Sequence, residues 1–241
     1  MNSLVVFEEE GWQERRIFLT GDRARAICMD DSMQSGKELR VALFGGDKGI
    51  AKVCECSNTR IVLEILRIER SLPLRPVDVI VGLSRPQTLK KVIQATVMAG
   101  VRSLHLVHLS SGEKSYLDSH ILRPEDLRQE VARALEQIWE GRYPQIQVHR
   151  SFRAFTREYL SQLTTPTGSR IVAHPGAAAF CPTTSSIHGG VTIAVGSEGG
   201  WNHSELATLS EYGFVQAGLG QRVVRVEVAL LYLLGQTLAV T

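Results

Sequence analysis

The chain has 241 residues, 44% hydrophobic and 22% charged, which is ordinary globular usage. Its 27 Lys and Arg against 25 Asp and Glu leave a formal charge of +2, too small to indicate a partner. The longest apolar stretch, Val226 to Gly235, contains Glu227 and falls short of the roughly 18 residues of a membrane span, and the start lacks the basic-then-apolar order of a secretory signal. Disordered, collagen-like and membrane classes are excluded, and a cytoplasmic protein is expected.

The first seventy residues read as β structure. Arg16–Thr20, Glu38–Phe44, Gly49–Cys56 and Arg60–Arg67 are short runs rich in Ile, Val and Leu, and the glycines of Gly45-Gly46-Asp47-Lys48-Gly49 mark a hairpin turn. Asp22–Met33 has room for a short helix. These pieces suggest a small barrel over residues 1–70. The prolines of Ser71-Leu72-Pro73-Leu74-Arg75-Pro76 punctuate a linker, and residues 71–241 form a second domain.

Beyond the linker, strands alternate with helices. Val77–Leu83 is a buried strand, and Gln87–Ala99 is a helix with Gly100 as its stop signal. Leu104–Leu109 is a strand. Pro124–Glu140 is a helix with Pro124 in its first turn and Leu127, Val131, Leu135 and Ile138 on one face. Ile146–His149, Arg170–His174, Val191–Gly196 and Phe214–Leu219 are the remaining strands. Thr164–Ser169 is a polar loop. Asn202 and Glu205 have the spacing of a capping box ahead of Leu206 and Leu209. The last helix, Val226–Ala239, is apolar on nearly every side, so it is buried or covered by a second subunit. The alternation predicts an α/β domain around a mostly parallel sheet.

Cys54 and Cys56 lie on one face of a strand, and with Cys28 and Cys181 they read as buried structural thiols. No Cys-x-x-Cys pair or histidine cluster suggests a metal site.

Three loops leave the carboxyl ends of late strands, where open α/β sheets bind ligands. In Ala173-His174-Pro175-Gly176 the histidine is a structural residue or an acid–base group. In Val195-Gly196-Ser197-Glu198-Gly199-Gly200-Trp201 the glycines admit a ligand to the backbone just before a helix start. Glu198 either bonds a ribose hydroxyl or folds back as a structural acceptor. In Leu219-Gly220-Gln221-Arg222-Val223-Val224-Arg225-Val226-Glu227, two arginines and an acid stand at the mouth of an apolar helix. They form an ion pair that shapes the turn, or they bind an anionic substrate.

The second and third loops resemble the tail of the RsmE family, whose usual wording is I-G-P-E-G-G followed by L-G-x-R-I-L-R-T-E-T-A. Glu136-Gln137, Arg142 and Pro144 resemble that family's E-Q … R … P stretch. Arg15-Arg16-Ile17-Phe18-Leu19 and the Gly-rich hairpin resemble its PUA-like barrel. The departures are Ser197 and Gln221 in place of prolines, and Val226 and Val228 in place of threonines. Ala26-Ile27-Cys28 replaces V-L-R, and Met98-Ala99-Gly100 replaces E-L-G. The cofactor loops keep the pattern better than the RNA-facing positions do.

The resemblance implies an S-adenosylmethionine-dependent enzyme of the SPOUT superfamily that methylates N3 of a uridine in small-subunit ribosomal RNA. It implies a C-terminal domain with a deep trefoil knot, a PUA-like N-terminal barrel that binds RNA, and a homodimer packed through the last helix. Ala173, His174, Val195, Gly196, Glu198, Gly199, Gly200, Leu219, Gly220 and Val224 would hold the cofactor. Arg225, Arg222 and Glu227 would be catalytic, and Arg15, Arg16, Arg85 and Arg123 would contact RNA, largely through phosphate. No metal is implied. The rival readings are a knotted methyltransferase acting on another RNA position and a non-catalytic RNA-binding or assembly factor of the same fold. A dinucleotide enzyme is disfavoured because its glycine fingerprint follows an early strand.

Overall fold

The computed structural model describes residues 3–10, 12–13, 15–30, 33–163, 168–177 and 190–238. Cys181 and most of the Thr164–Ser169 loop lie outside them. The chain divides into two compact units, one of Met1–Pro73 with Val131–Tyr143, the other of Leu74–Glu130 with Pro144–Thr241.

The first unit holds β1 (Leu4–Val6), β2 (Trp12–Gln13), β3 (Arg16–Thr20), α1 (Gly21–Cys28), β4 (Glu38–Leu43), β5 (Lys48–Cys56) and β6 (Arg60–Glu69). Its sheet runs β1-β4-β5-β6-β3-β2, antiparallel except where β1 joins β4. The β5–β6 ladder slips at Ile50/Ala51 and again at Val53/Glu55, and bulges of this kind bend a sheet. The ladders make a curled, open sheet with β1 and β2 at its edges. Leu4, Ile17, Leu19, Val53, Ile61 and Leu63 are fully buried in its core, and Ala24 and Ile27 of α1 pack against them.

The second slip corrects the cysteine reading. Cys54 stays exposed on the same face as Lys52, while the slip turns Cys56 back to face Cys28, sulfur to sulfur at 3.1 Å. Cys28 and Cys56 are only partly buried. Burial and the neighbouring Cys28 push the Cys56 thiol up to about 11. The helix expected over Asp22–Met33 is shorter and begins at Gly21. The strand Leu4–Val6 was not anticipated, because three residues are too few to show a period.

The second unit holds β7 (Arg75–Gly82), α2 (Pro86–Ala99), β8 (Val101–Val107), the first half of α3 (Pro124–Ile138), β9 (Gln145–His149), α4 (Phe152–Glu158), β10 (Ser169–Ala173), β11 (Val191–Val195), α5 (His203–Glu211), β12 (Val215–Ala217) and α6 (Val226–Leu238). The sheet order is β12-β10-β11-β7-β8-β9, and every ladder is parallel. The central strands β7 and β11 are buried along most of their length because both faces are covered. α2 and α6 pack together, and α6 also lies against β11. Phe155 of α4, Leu209 of α5 and Trp201 join Ile80, Val107 and Ala194 in a separate cluster. Gly100 ends α2 at φ +65°, as the stop signal requires. α4 was not foreseen. It is seven residues capped by the Ser151 hydroxyl, and its two phenylalanines give no full period.

A polar row crosses this sheet. Arg102 pairs with buried Asp78, Ser103 Oγ donates to Asp78 Oδ1 at 2.6 Å, and His105 lies 3.2 Å from Ser103 and 3.0 Å from His149. Burial and the adjacent His149 bring the imidazole of His105 down to about 4.

Candidate active site

All three sequence-selected loops open from the same edge of the second unit's sheet, after β10, β11 and β12. They line one cavity of about 1140 Å³ together with residues that follow β7 and β8. Strand order accounts for the convergence, since β12, β10, β11 and β7 are neighbours and point the same way.

The β11 loop is shaped by short backbone contacts. Gly200 donates its N–H to the Ser197 carbonyl at 2.9 Å and has φ +70°. The loop rests on Gly82 at the end of β7, where an added Cβ would lie 2.4 Å from the Ser197 nitrogen and 3.0 Å from the Gly196 carbonyl carbon. Only glycine permits that approach. The loop then enters α5 through the capping box expected from Asn202 and Glu205, with Glu205 N–H to Asn202 Oδ1 at 2.8 Å and Asn202 N–H to Glu205 Oε2 at 3.0 Å. Glu205 also accepts from the backbone and hydroxyl of Ser110, which ties the β8 loop to the same corner.

The alternatives left open by the sequence resolve in part. Glu198 folds back, one carboxylate oxygen accepting the Arg85 N–H at 3.1 Å. It thereby supplies negative charge to the start of α2, where helix N-termini favour it. The His174 backbone N–H donates to the Ala217 carbonyl at 3.0 Å, which pins the β10 loop to β12.

Glu227 is 7% exposed and forms the expected ion pair with Arg225, Nε to Oε1 at 3.7 Å. A second cation, Lys91 of α2, is closer at 3.2 Å and also lines the cavity. Burial pushes the Glu227 carboxyl up, but its own backbone N–H, Lys91 and Arg225 outweigh this and hold it below the usual carboxylate range. The site therefore presents an ionised acid flanked by two cations, with the Arg225 side chain 79% exposed and free to meet a ligand.

Of the selected residues, Ala173, His174, Val195, Gly196, Glu198, Gly200, Leu219, Gly220, Arg222, Val224, Arg225 and Glu227 line the cavity, and Gly199 does not. A side chain at Gly199 would crowd Ser111 at 3.2 Å. The four arginines selected for RNA fall in both units. Arg85 is in the cavity wall, whereas Arg123 is exposed at the start of α3 and outside the wall. Arg15 and Arg16 belong to the first unit, where the Arg15 guanidinium donates to the Ile65 and Leu66 carbonyls and Arg16 is exposed on β3. Sequence reasoning missed Gly82, Lys91, Tyr116 and His120. A glycine closing a buried strand was the available signal for Gly82. Lys91 and Tyr116 carried none, because they reach the site from other elements. Among the described residues, no group of three or more His, Cys, Asp or Glu is arranged to hold a metal ion.

Residues 70–238 match the family described as RNA methyltransferase domain. Among curated proteins, the ribosomal RNA small subunit methyltransferase E of Treponema pallidum is 29% identical over 199 residues, covering 82% of this chain and 75% of the relative. A ribosomal RNA small subunit methyltransferase E from Neisseria gonorrhoeae, solved bound to S-adenosyl methionine, has a TM-score of 0.76 at 19% identity and covers 97% of this chain and 95% of its own. A Legionella pneumophila protein solved with the cofactor SAM has a TM-score of 0.76 at 17% identity, over 99% of this chain and 98% of the other. At these identities the two structures establish a shared fold.

Proposed function

Because the chain belongs to the RNA methyltransferase domain family, and within it matches the RsmE family as a divergent member, we propose that it transfers a methyl group from S-adenosylmethionine to N3 of a uridine in small-subunit ribosomal RNA. In this reading the last third is threaded as a trefoil knot, the curled sheet of the first unit serves as the PUA-like RNA-docking part, and the enzyme works as a cytoplasmic homodimer. The observation that carries it is the convergence of the three late loops with Arg222, Arg225 and Glu227 on one cavity.

The cavity fits the cofactor. Gly196, Gly200 and Gly220 lie in its wall, and at Gly82 a single methyl group would close the approach of the β11 loop. The loops after β10, β11 and β12 would hold the adenosine and methionine parts. When bound, S-adenosylmethionine supplies an electrophilic methyl on a sulfonium; the C–S bond breaks as the C–N3 bond forms, and the electron pair stays on sulfur.

The protein's work is orientation and charge. Uridine N3 carries a proton and becomes nucleophilic as that proton passes to water, so negative charge develops on the ring. Arg225, assisted by Arg222, stabilises that charge, a fixed cation needing no reorganisation. Glu227, ionised and held by Lys91, orients Arg225.

The exposed apolar face of α6 supports the homodimer. Val228, Leu231 and Tyr232 are 40%, 55% and 51% exposed and fall at i, i+3 and i+4, while Ala229, Leu230, Leu233 and Leu234 are buried.

The test is Arg225→Ala, assayed by methyl transfer to ribosomal RNA and by calorimetry with S-adenosylmethionine. Turnover should fall at least a hundredfold with cofactor affinity within about threefold of the parent. Unchanged turnover removes Arg225 from the mechanism. Absence of cofactor binding by the parent protein favours the non-catalytic RNA-binding reading. Deleting the gene and mapping the lost ribosomal RNA modification identifies the nucleotide.

A further inference from the structure

The loops after β10, β11 and β12 leave one part of the cavity wall unused. That part follows β7 and β8 and is made by Arg85, Gln87, Glu113, Tyr116 and His120. We infer that it holds the target base, with the Tyr116 ring as stacking face and the Arg85 guanidinium against the base edge. The inference rests on the RNA methyl-transfer reading and adds to it the residues that seat the uridine.

Size is the first argument. Sites for single small ligands span roughly 300–1,000 Å³. A cavity of about 1140 Å³ has room for a cofactor and a planar base together.

The second argument is the distribution of rings. An unpaired RNA base is recognised by stacking on an aromatic face and by hydrogen bonds at its edge. The one aromatic residue of the β11 loop, Trp201, also lines the cavity but is only 8% exposed and packs against Phe152 in the core, which leaves little ring surface for a base. The β12 loop has no aromatic residue. Tyr116, half-buried in the opposite wall, is the tyrosine that lines the space.

The third argument is preorganisation. Arg85, Glu113, Tyr116 and Glu198 line the same cavity, and Tyr116 and the two acids favour the charged form of Arg85. The Arg85 backbone is in turn anchored to Glu198. A guanidinium whose backbone is anchored in this way loses little freedom when it meets the base edge. A uracil seated on Tyr116 presents carbonyl oxygens that a guanidinium can meet, and the negative charge that develops with loss of the N3 proton strengthens that contact.

The test compares Tyr116→Leu and Tyr116→Phe with the parent protein. One arm follows methyl transfer from tritiated S-adenosylmethionine to small ribosomal subunits lacking the modification. The other follows binding of a uridine-containing single-stranded RNA to protein saturated with S-adenosylhomocysteine, and cofactor affinity is measured by calorimetry. Tyr116→Leu should raise the KM for RNA and weaken oligonucleotide binding by about tenfold or more, as loss of a stacked base does elsewhere. Its S-adenosylmethionine affinity should stay within about twofold, and Tyr116→Phe, which keeps the ring, should recover most of the loss. RNA parameters of Tyr116→Leu within twofold of the parent overturn the inference, as does an equal loss of cofactor affinity, which would put Tyr116 on the cofactor side. A parent protein that binds the oligonucleotide through Tyr116 but transfers no methyl group overturns the proposed reaction and leaves the base seat standing.

Discussion

Gly82→Ala offers a direct test of how the site is assembled. The added methyl carbon would lie 2.4 Å from the Ser197 backbone nitrogen and 2.7 Å from a Leu109 methyl. Leu109 can rotate away, but the nitrogen belongs to the short turn closed by Gly200, which cannot yield without moving as a unit. Ordinary contact begins at about 3.4 Å, so the β11 loop must recede by about 1 Å. Displacements of that size cost on the order of 10²-fold in rate where orientation carries catalysis. Forcing a methyl group into a packed contact also costs roughly 1–3 kcal/mol of stability. The expected outcome is a tenfold or greater loss of S-adenosylmethionine affinity by calorimetry, a larger loss of methyl transfer, and a lower urea midpoint. Parent-like cofactor affinity in Gly82→Ala would refute the claim that this close approach builds the pocket.

Stability should fall as pH drops from 6.5 towards 4, because His105 is held neutral in the fold at about 4 while the unfolded chain takes up the proton near 6.5. That difference is worth about 3 kcal/mol, fully present above pH 6.5, and His105→Gln should flatten the urea midpoint across this range. Lys91→Met removes the closer cation from Glu227, whose lowered carboxyl lends stability above its ordinary value of 4.5 and loses it as pH falls through the folded value. The acid limb of the rate profile should therefore move to higher pH, with turnover reduced several-fold. Leu231→Glu places a charge on the exposed apolar face of α6, and light scattering should report a dimer for the parent and a monomer for the variant.

Much of the second unit was legible because its signals are local. The periodic face of α2, the Gly100 stop and the Asn202–Glu205 box each act within one or two turns, and each forms as expected. The three glycine-bearing loops were also legible, since a strand end followed by glycines restricts what the backbone can do. What the sequence hid depends on contacts distant along the chain. Lys91 reaches Glu227 across 136 positions, and Arg85 meets Glu198 across 113. The inward turn of Cys56 depends on a bulge that no composition signals. Closure of the first unit was overestimated for a similar reason: alternating runs identify strands, but which edges pair is decided by register.

The first unit is built from two stretches of chain separated by 57 residues of the second. Trp139 of the later stretch donates its indole N–H to the Val41 carbonyl, and Glu140 pairs with Lys48 and accepts the Leu72 N–H. During synthesis, therefore, the N-terminal sheet waits with part of its surface bare until residue 143 has left the ribosome. A fragment cut at Pro73 would carry that bareness permanently, and its behaviour in solution would be a poor guide to that of the intact N-terminal unit.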